Sequence, residues 1–243
     1  SNFYNTRLIF IVLILKLLIL APLLTFAKST DSANIFKNKI NNFYKADLIL
    51  GSKNLKEGLI LLGLKIKLEK GWKIYWQNPG DAGLPPEINW KKVKNIKYLD
   101  LLFPAPKRFK FFGIDTFGYE KEIIFPIKIY KKHINDPIIG YLEFNAQICN
   151  QICIPIKERL SLNSSLDNNL ENINTSEINK FLKTVPFENK LNKLYFNKIT
   201  FKDNKLKILF NDIINIENTD LIIEDQNSKI LPKAKFYKNK SNK

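Results

Sequence analysis

Tyr141-Leu142-Glu143-Phe144-Asn145-Ala146-Gln147-Ile148-Cys149-Asn150-Gln151-Ile152-Cys153-Ile154-Pro155 decides the fold. Up to Ile148 the side chains alternate. Tyr141, Glu143, Asn145 and Gln147 take one parity, and Leu142, Phe144, Ala146 and Ile148 take the other. A period of two with one apolar set is the pattern of a β-strand with one face in a core and one in water. The run ends at the only two cysteines of the chain, Cys149 and Cys153. Cys149 continues the polar parity, which predicts an outward sulfur. In a continued strand Cys153 lies roughly 13 Å further on, whereas a disulfide needs Cα atoms within about 7 Å of each other. Asn150 and Gln151 suit a turn, and a turn there brings the sulfurs together.

A bridge across that turn closes a loop of about five residues, which chain-entropy arithmetic values at roughly 2 kcal/mol, against about 4.7 kcal/mol for a loop of about 100. It is a weak staple and an accessible redox site. The residues alone leave three readings open: exchange, local staple, and metal-binding or free thiols.

Outward from this stretch the pattern stays β from about Ile40. Leu48 to Leu50 predicts a short strand. Ile60, Leu62, Leu64, Ile66 and Leu68 alternate with charged residues, a half-buried strand. Gly71 turns the chain, and Trp72 to Gln77 predicts the next strand. Asn78 to Gly83 is dense turn chemistry, and Pro85-Pro86 bars a helix. Short strands are predicted at Ile88 to Trp90 and Lys94 to Leu102, with Phe103-Pro104-Ala105-Pro106 as a rigid connection. Ile123, Phe125, Ile127 and Ile129 define a strand in which Pro126 marks an edge or bulge. A last strand runs near Lys157 to Leu162. Many short strands with turn signals and no long helical period predict an all-β sandwich.

Residues 40–165 therefore form the expected main domain, and 166–190 a linker with one short helix starting near Ser176. Residues 191–243 read as a small or truncated second β module: Ile199 and Phe201, a turn at Asp203-Asn204, then Leu206, Ile208 and Phe210. Leu221 to Ile223 predicts one more strand. Leu8 to Ala27 is almost wholly apolar, with small residues at Thr25 and Ala27 before Lys28. Residues 1–27 read as a secretory signal peptide, with a retained membrane anchor as the alternative. Either expectation puts the rest outside the cytoplasm, where disulfides persist. No Met is present, so the initiator has been removed or the sequence is a fragment.

The 243 residues carry a net charge of +16 and are 45% hydrophobic. The charge does not imply a nucleic-acid partner. Lysines are scattered, arginine occurs only at Arg7, Arg108 and Arg159, and no zinc-finger spacing or aromatic RNA-binding signature appears. Attraction to an anionic membrane surface is a milder expectation. Around the single histidine, His133, no hydrolytic triad can be assembled.

Three segments carry a family resemblance. Gly71-Trp72-Lys73-Ile74-Tyr75-Trp76-Gln77-Asn78-Pro79-Gly80-Asp81-Ala82-Gly83-Leu84-Pro85-Pro86 is the first. Phe103 to Phe109 with Phe117-Gly118-Tyr119-Glu120 is the second, and Cys149 to Pro155 the third. In this order they resemble the amino-terminal periplasmic domain of the DsbD/ScsB thiol:disulfide interchange proteins. The resemblance implies an immunoglobulin-like sandwich in the periplasm that takes electrons from a membrane-embedded thiol reductase. It passes them to periplasmic thioredoxin-like or disulfide isomerase proteins, and no cofactor is implied. It assigns Cys149 and Cys153 as the exchanging pair, Phe111 and Phe112 as its cap, and Tyr75 as a residue near the site. The cysteines stand closer together here than in the best-studied members. The membrane and thioredoxin-like domains of the full protein have no counterpart in this sequence. Lys157 and Arg159 are the nearest cations in sequence.

Two other classes remain. C-x-x-x-C followed by Pro155 also looks like the copper chaperones of cytochrome oxidase assembly, since thiolates suit Cu(I) and only His133 could add a nitrogen. A non-redox β-sandwich interaction module with a stapled loop is the third.

Overall fold

The structure is a computed structural model and describes residues 42–54, 56–164, 171–186, 196–210 and 220–237. The expected leader, residues 1–27, lies outside them. The chain divides into two units, Ser1–Lys45 and Ala46–Lys243, and the site belongs to the second.

Among the described residues twelve strands and one helix follow in order: β1 (Tyr44–Asn54), β2 (Leu59–Leu68), β3 (Lys73–Gly80), β4 (Glu87–Lys94), β5 (Ile96–Leu101), β6 (Lys107–Phe111), β7 (Ile114–Glu120), β8 (Glu122–Lys131), β9 (Ile139–Cys149), β10 (Cys153–Asn163), α1 (Glu171–Leu182), β11 (Phe196–Lys202) and β12 (Lys205–Phe210). One sheet has the order β1-β2-β8-β5. The other runs β10-β9-β3-β7-β6, with β4 also paired to β9. The chain is an all-β, immunoglobulin-like sandwich.

The alternating apolar sets are what the sheets bury. Ile60, Leu62, Leu64 and Ile66 of β2 and Ile123, Phe125, Ile127 and Ile129 of β8 are all at most 2% exposed. Ile74, Phe117, Leu142, Phe144 and Ile148 of the other sheet are equally buried. The two layers meet where the Tyr119 and Phe125 rings stand edge to face, 5.4 Å apart. The Tyr119 hydroxyl donates to the Pro104 carbonyl at 2.8 Å. That bond ties the Phe103–Pro106 connection to Phe117–Glu120, so the two parts of the second family-like segment are one structural unit. Burial pushes the Tyr119 pKa far above its ordinary value and keeps it a donor.

Helix α1 covers the back of the first sheet. Ile178 packs with Leu61 and Ile124, flanked by Ile49 and Phe181. Lys65 reaches Glu177 at 2.6 Å. The helix begins at Glu171, before the expected Ser176, so part of the expected linker is helical.

Several expectations need correction. Pro126 lies at no bulge, and β8 is not an edge strand of its sheet. Pro126 is inside β8, which has β2 on one side and β5 on the other, opposite Gly63. Its carbonyl accepts from Leu102 N at 2.9 Å, so its missing N–H points to the side where β5 has just ended at Leu101. On that side β8 has run past the end of its neighbour, so the proline stands at a local edge of an otherwise interior strand, where its missing donor is tolerated. Lys107–Phe111 and Ile114–Glu120, for which no strands were predicted, form a hairpin. Leu221 to Ile223 is not a strand; the nearest pairing is an isolated bridge between Glu224 and Ile230. The β11–β12 hairpin forms, with Asp203 and Asn204 at its turn at φ 51° and 56°.

Candidate functional site

Strands β9 and β10 pair without slippage from Asn163↔Ile139 to Cys153↔Cys149. The cysteines are thus the last facing pair before the turn, and Asn150 N closes that turn on Ile152 O at 2.9 Å. The sulfurs are joined as a disulfide, with Cα atoms 4.1 Å apart.

The two sulfurs are unequal. Cys153 is half-buried and Cys149 only 2% exposed. The outward sulfur expected from parity is therefore corrected. Cys149 does share the outer face of the sheet with Gln147 and Asn145, but it has a strand on each side: Cys153 of β10 and Lys73 of β3. Cys153 lies on β10, an edge strand with one neighbour. Position in the sheet, not parity, sets the exposure of each sulfur.

Tyr75 occupies the same face as Lys73, two residues along β3. It is 3% exposed, and its hydroxyl lies 4.0 Å from the Cys153 sulfur. A disulfide sulfur has no proton, so the phenol is the donor. Burial pushes the Tyr75 pKa up, so the proton stays on oxygen. Gly83 holds the ring down. It has φ +100°, and a Cβ there would lie 2.3 Å from a ring carbon of Tyr75. Only glycine lets the Asp81–Pro86 turn approach this closely.

Phe111 and Phe112 sit at the tip of the β6–β7 hairpin. Phe112 and Gly113 both have positive φ, 48° and 84°, which gives a tight turn whose backbone twist suits a hairpin. Phe111 is half-buried, Phe112 is 81% exposed, and their rings meet edge to face at 4.7 Å. Phe112 is therefore no core residue. Further down β6, Phe109 receives the Lys73 ammonium 4.8 Å from its ring centroid, which brings the hairpin to the strand beside Cys149.

The cations nearest in sequence are not the ones beside the disulfide. Arg159 lies over the Tyr141 ring at 3.6 Å, and Lys157 faces Asn145. Lys73 is adjacent instead, although it is far away in sequence; only the strand register reveals it. His133 lies in the turn between β8 and β9, at the opposite end of β9 from Cys149. Among the described residues no His, Cys, Asp and Glu group is arranged to hold a metal ion. The copper reading has no assembled ligand set there.

Residues 46–165 match the family described as thiol:disulfide interchange protein DsbD, N-terminal. This segment is a DsbD-type amino-terminal domain. The fold is similar to the N-terminal periplasmic domain of ScsB from Proteus mirabilis, with a TM-score of 0.59 and 24% identity, over 77% of this chain and 72% of that one. The DsbD N-terminal domain of Neisseria meningitidis in its reduced form matches more distantly. Its TM-score is 0.33 and its identity 12%, over 51% of this chain and 86% of that one. Among curated protein sequences none matches. The three motif segments all fall inside the matched region. The DsbD-type family and the Cys149–Cys153 disulfide together fit a thiol:disulfide interchange domain whose partners are thiol–disulfide proteins.

Proposed function

We propose that the domain relays electrons through Cys149 and Cys153, from a membrane-embedded thiol reductase to oxidised proteins of the periplasm. The observation that carries this reading is the asymmetric disulfide at the end of an edge hairpin. Cys153 is half-buried and Cys149 almost wholly buried. An incoming thiolate needs an accessible sulfur to attack, and the buried partner leaves. Tyr75 supports the site by donating to Cys153. Phe111 and Phe112 serve as its cap, an apolar tip on a tight turn that shields the pair from small oxidants and shifts when a partner docks. The periplasmic location follows the ScsB domain, whose description is periplasmic, together with the apolar leader read from residues 1–27. Among the described residues no helix is long and apolar enough to cross a membrane.

Thiol trapping of the folded protein, before and after mild reduction, tests the relay. Both cysteines are expected to resist trapping at first and to label together after reduction, then to re-form the bridge with an oxidised partner. A pair that stays closed under mild reduction while the domain remains folded would leave only a local staple.

A further inference from the structure

The outer face of the second sheet carries a row of facing residues that runs past the disulfide. Lys73 of β3 is the register partner of Cys149 on one side and of Glu120 on the other. Residues directly opposite in antiparallel strands put their Cβ atoms about 4.5–5.5 Å apart on one face. Across β10, β9, β3 and β7 the row reads Cys153, Cys149, Lys73, Glu120.

Glu120 is the natural counter-ion for Lys73, but its Oε1 is taken by Lys107 Nζ at 3.1 Å. Lys73 therefore has no carboxylate partner among the described residues. Its ammonium rests over the Phe109 ring, a weak hold that a full negative charge nearby would outcompete. Exchange creates such a charge. A thiolate of a partner dithiol attacks the Cys153 sulfur and a new S–S bond forms. The Cys149–Cys153 bond breaks and its electron pair stays on the Cys149 sulfur, which leaves as a thiolate. The partner's second thiolate then attacks its own sulfur in the mixed disulfide, closing the partner's disulfide and releasing Cys153 as a thiolate. Two electrons have passed to the pair, and solvent supplies two protons. The first leaving thiolate forms at a position 2% exposed. Burial disfavours the charged form, which makes an unassisted Cys149 a poor leaving group.

We infer that Lys73 is a positioning residue for exchange, whose ammonium leaves the Phe109 ring to stabilise the Cys149 thiolate as the bridge opens. This rests on the exchange reading above. The test uses the full chain as wild type, Lys73→Met, Lys73→Arg and Glu120→Gln. The readouts are the rate at which dithiothreitol reduces the disulfide across pH, and the ultraviolet thiolate titration of the reduced protein. Removing the charge is expected to move the thiolate titration up by about one pH unit, tenfold in the thiolate-to-thiol ratio, and to slow reduction roughly three- to tenfold. Lys73→Arg should restore both, and Glu120→Gln should change neither. Lys73→Gln repeats the charge removal if the Met variant folds poorly. A purely structural role would lower the unfolding midpoint and leave the titration alone. Charge-free variants with wild-type titration and rate would overturn the inference while exchange itself stood. A wild-type bridge that dithiothreitol cannot reduce in the folded state would take both readings down.

Discussion

Two hairpins of the same sheet hold themselves together in opposite ways. β9–β10 is locked at its tip, where the Cys149–Cys153 disulfide spans the last facing pair. β6–β7 is locked along its stem. Arg108 lies 3.1 Å from Asp115 and 2.8 Å from Asp220, and Lys110 lies 2.7 Å from Asp115. Its tip, Phe112-Gly113, is held only by a long hydrogen bond from Lys110 Nζ to the Gly113 carbonyl at 3.5 Å, and nothing lies within 4 Å of where a Gly113 Cβ would be. On the proposed reading the difference separates chemistry from gating: the covalent lock is the bond that opens in exchange, and the aromatic tip shifts while the ionic stem stays in register.

Breaking the covalent lock should have the largest effect. Cys149→Ser with Cys153→Ser should abolish exchange and lower stability by about 2 kcal/mol, the chain-entropy value for so short a loop. Urea denaturation of the oxidised wild type and the double variant checks the second figure. A much larger loss would mean the bridge is a staple for the whole sandwich and not a local site.

Changing the aromatic tip should cost less. Phe111→Ala with Phe112→Ala is expected to lower stability by less than about 1 kcal/mol, whereas a buried Phe→Ala such as Phe144 costs about 3–5 kcal/mol. The same variant should react faster with small disulfides once reduced. Oxidation rate and denaturation midpoint on one sample separate shield from core, and a core-sized loss with unchanged thiol reactivity would end the cap hypothesis.

The two hairpins also differ in how far they could be read from the sequence. In β9 the alternation of Leu142, Phe144, Ala146 and Ile148 maps directly onto burial, because an interior strand with one apolar face obeys a period of two. In β6 the inward position is Arg108, a charged residue with a side chain only 9% exposed. Its guanidinium lies over the Phe117 ring at 4.6 Å and pairs with two carboxylates. An amphipathic side chain does the work of an apolar one there, so the inward parity carries no apolar residue to read, and Phe109 and Phe111 fall on the other face. The burial of Cys149 and the nearness of Lys73 share one cause: both depend on which strand lies beside β9, and alternation within one strand carries no information about its neighbours. Tyr75 came from family resemblance, and the Gly83 contact that seats its ring needed the turn in three dimensions.

The smallest effect concerns the ionic stem. The hydrogen bonds from Arg108 hold Asp220 below its ordinary pKa, and the Lys110 ammonium 2.7 Å away, then the hydrogen bond from Arg108, do the same for Asp115. A carboxylate with a depressed folded-state pKa adds stability that is fully present above its unfolded value, about 3.9, and is lost as pH falls through the lower folded value. The domain should therefore lose stability on acidification below about pH 4. Asp220→Asn should weaken that slope. At neutral pH it should cost less than about 1 kcal/mol, because the pair is partly solvated. Urea midpoints of wild type and variant at neutral pH and at about pH 3 give the comparison. The Phe111/Phe112 tip, if gated independently of the stem, should keep its effect on thiol reactivity in the Asp220→Asn background. A variant that alone made the reduced cysteines as reactive as the tip double variant would show instead that stem and tip move as one body.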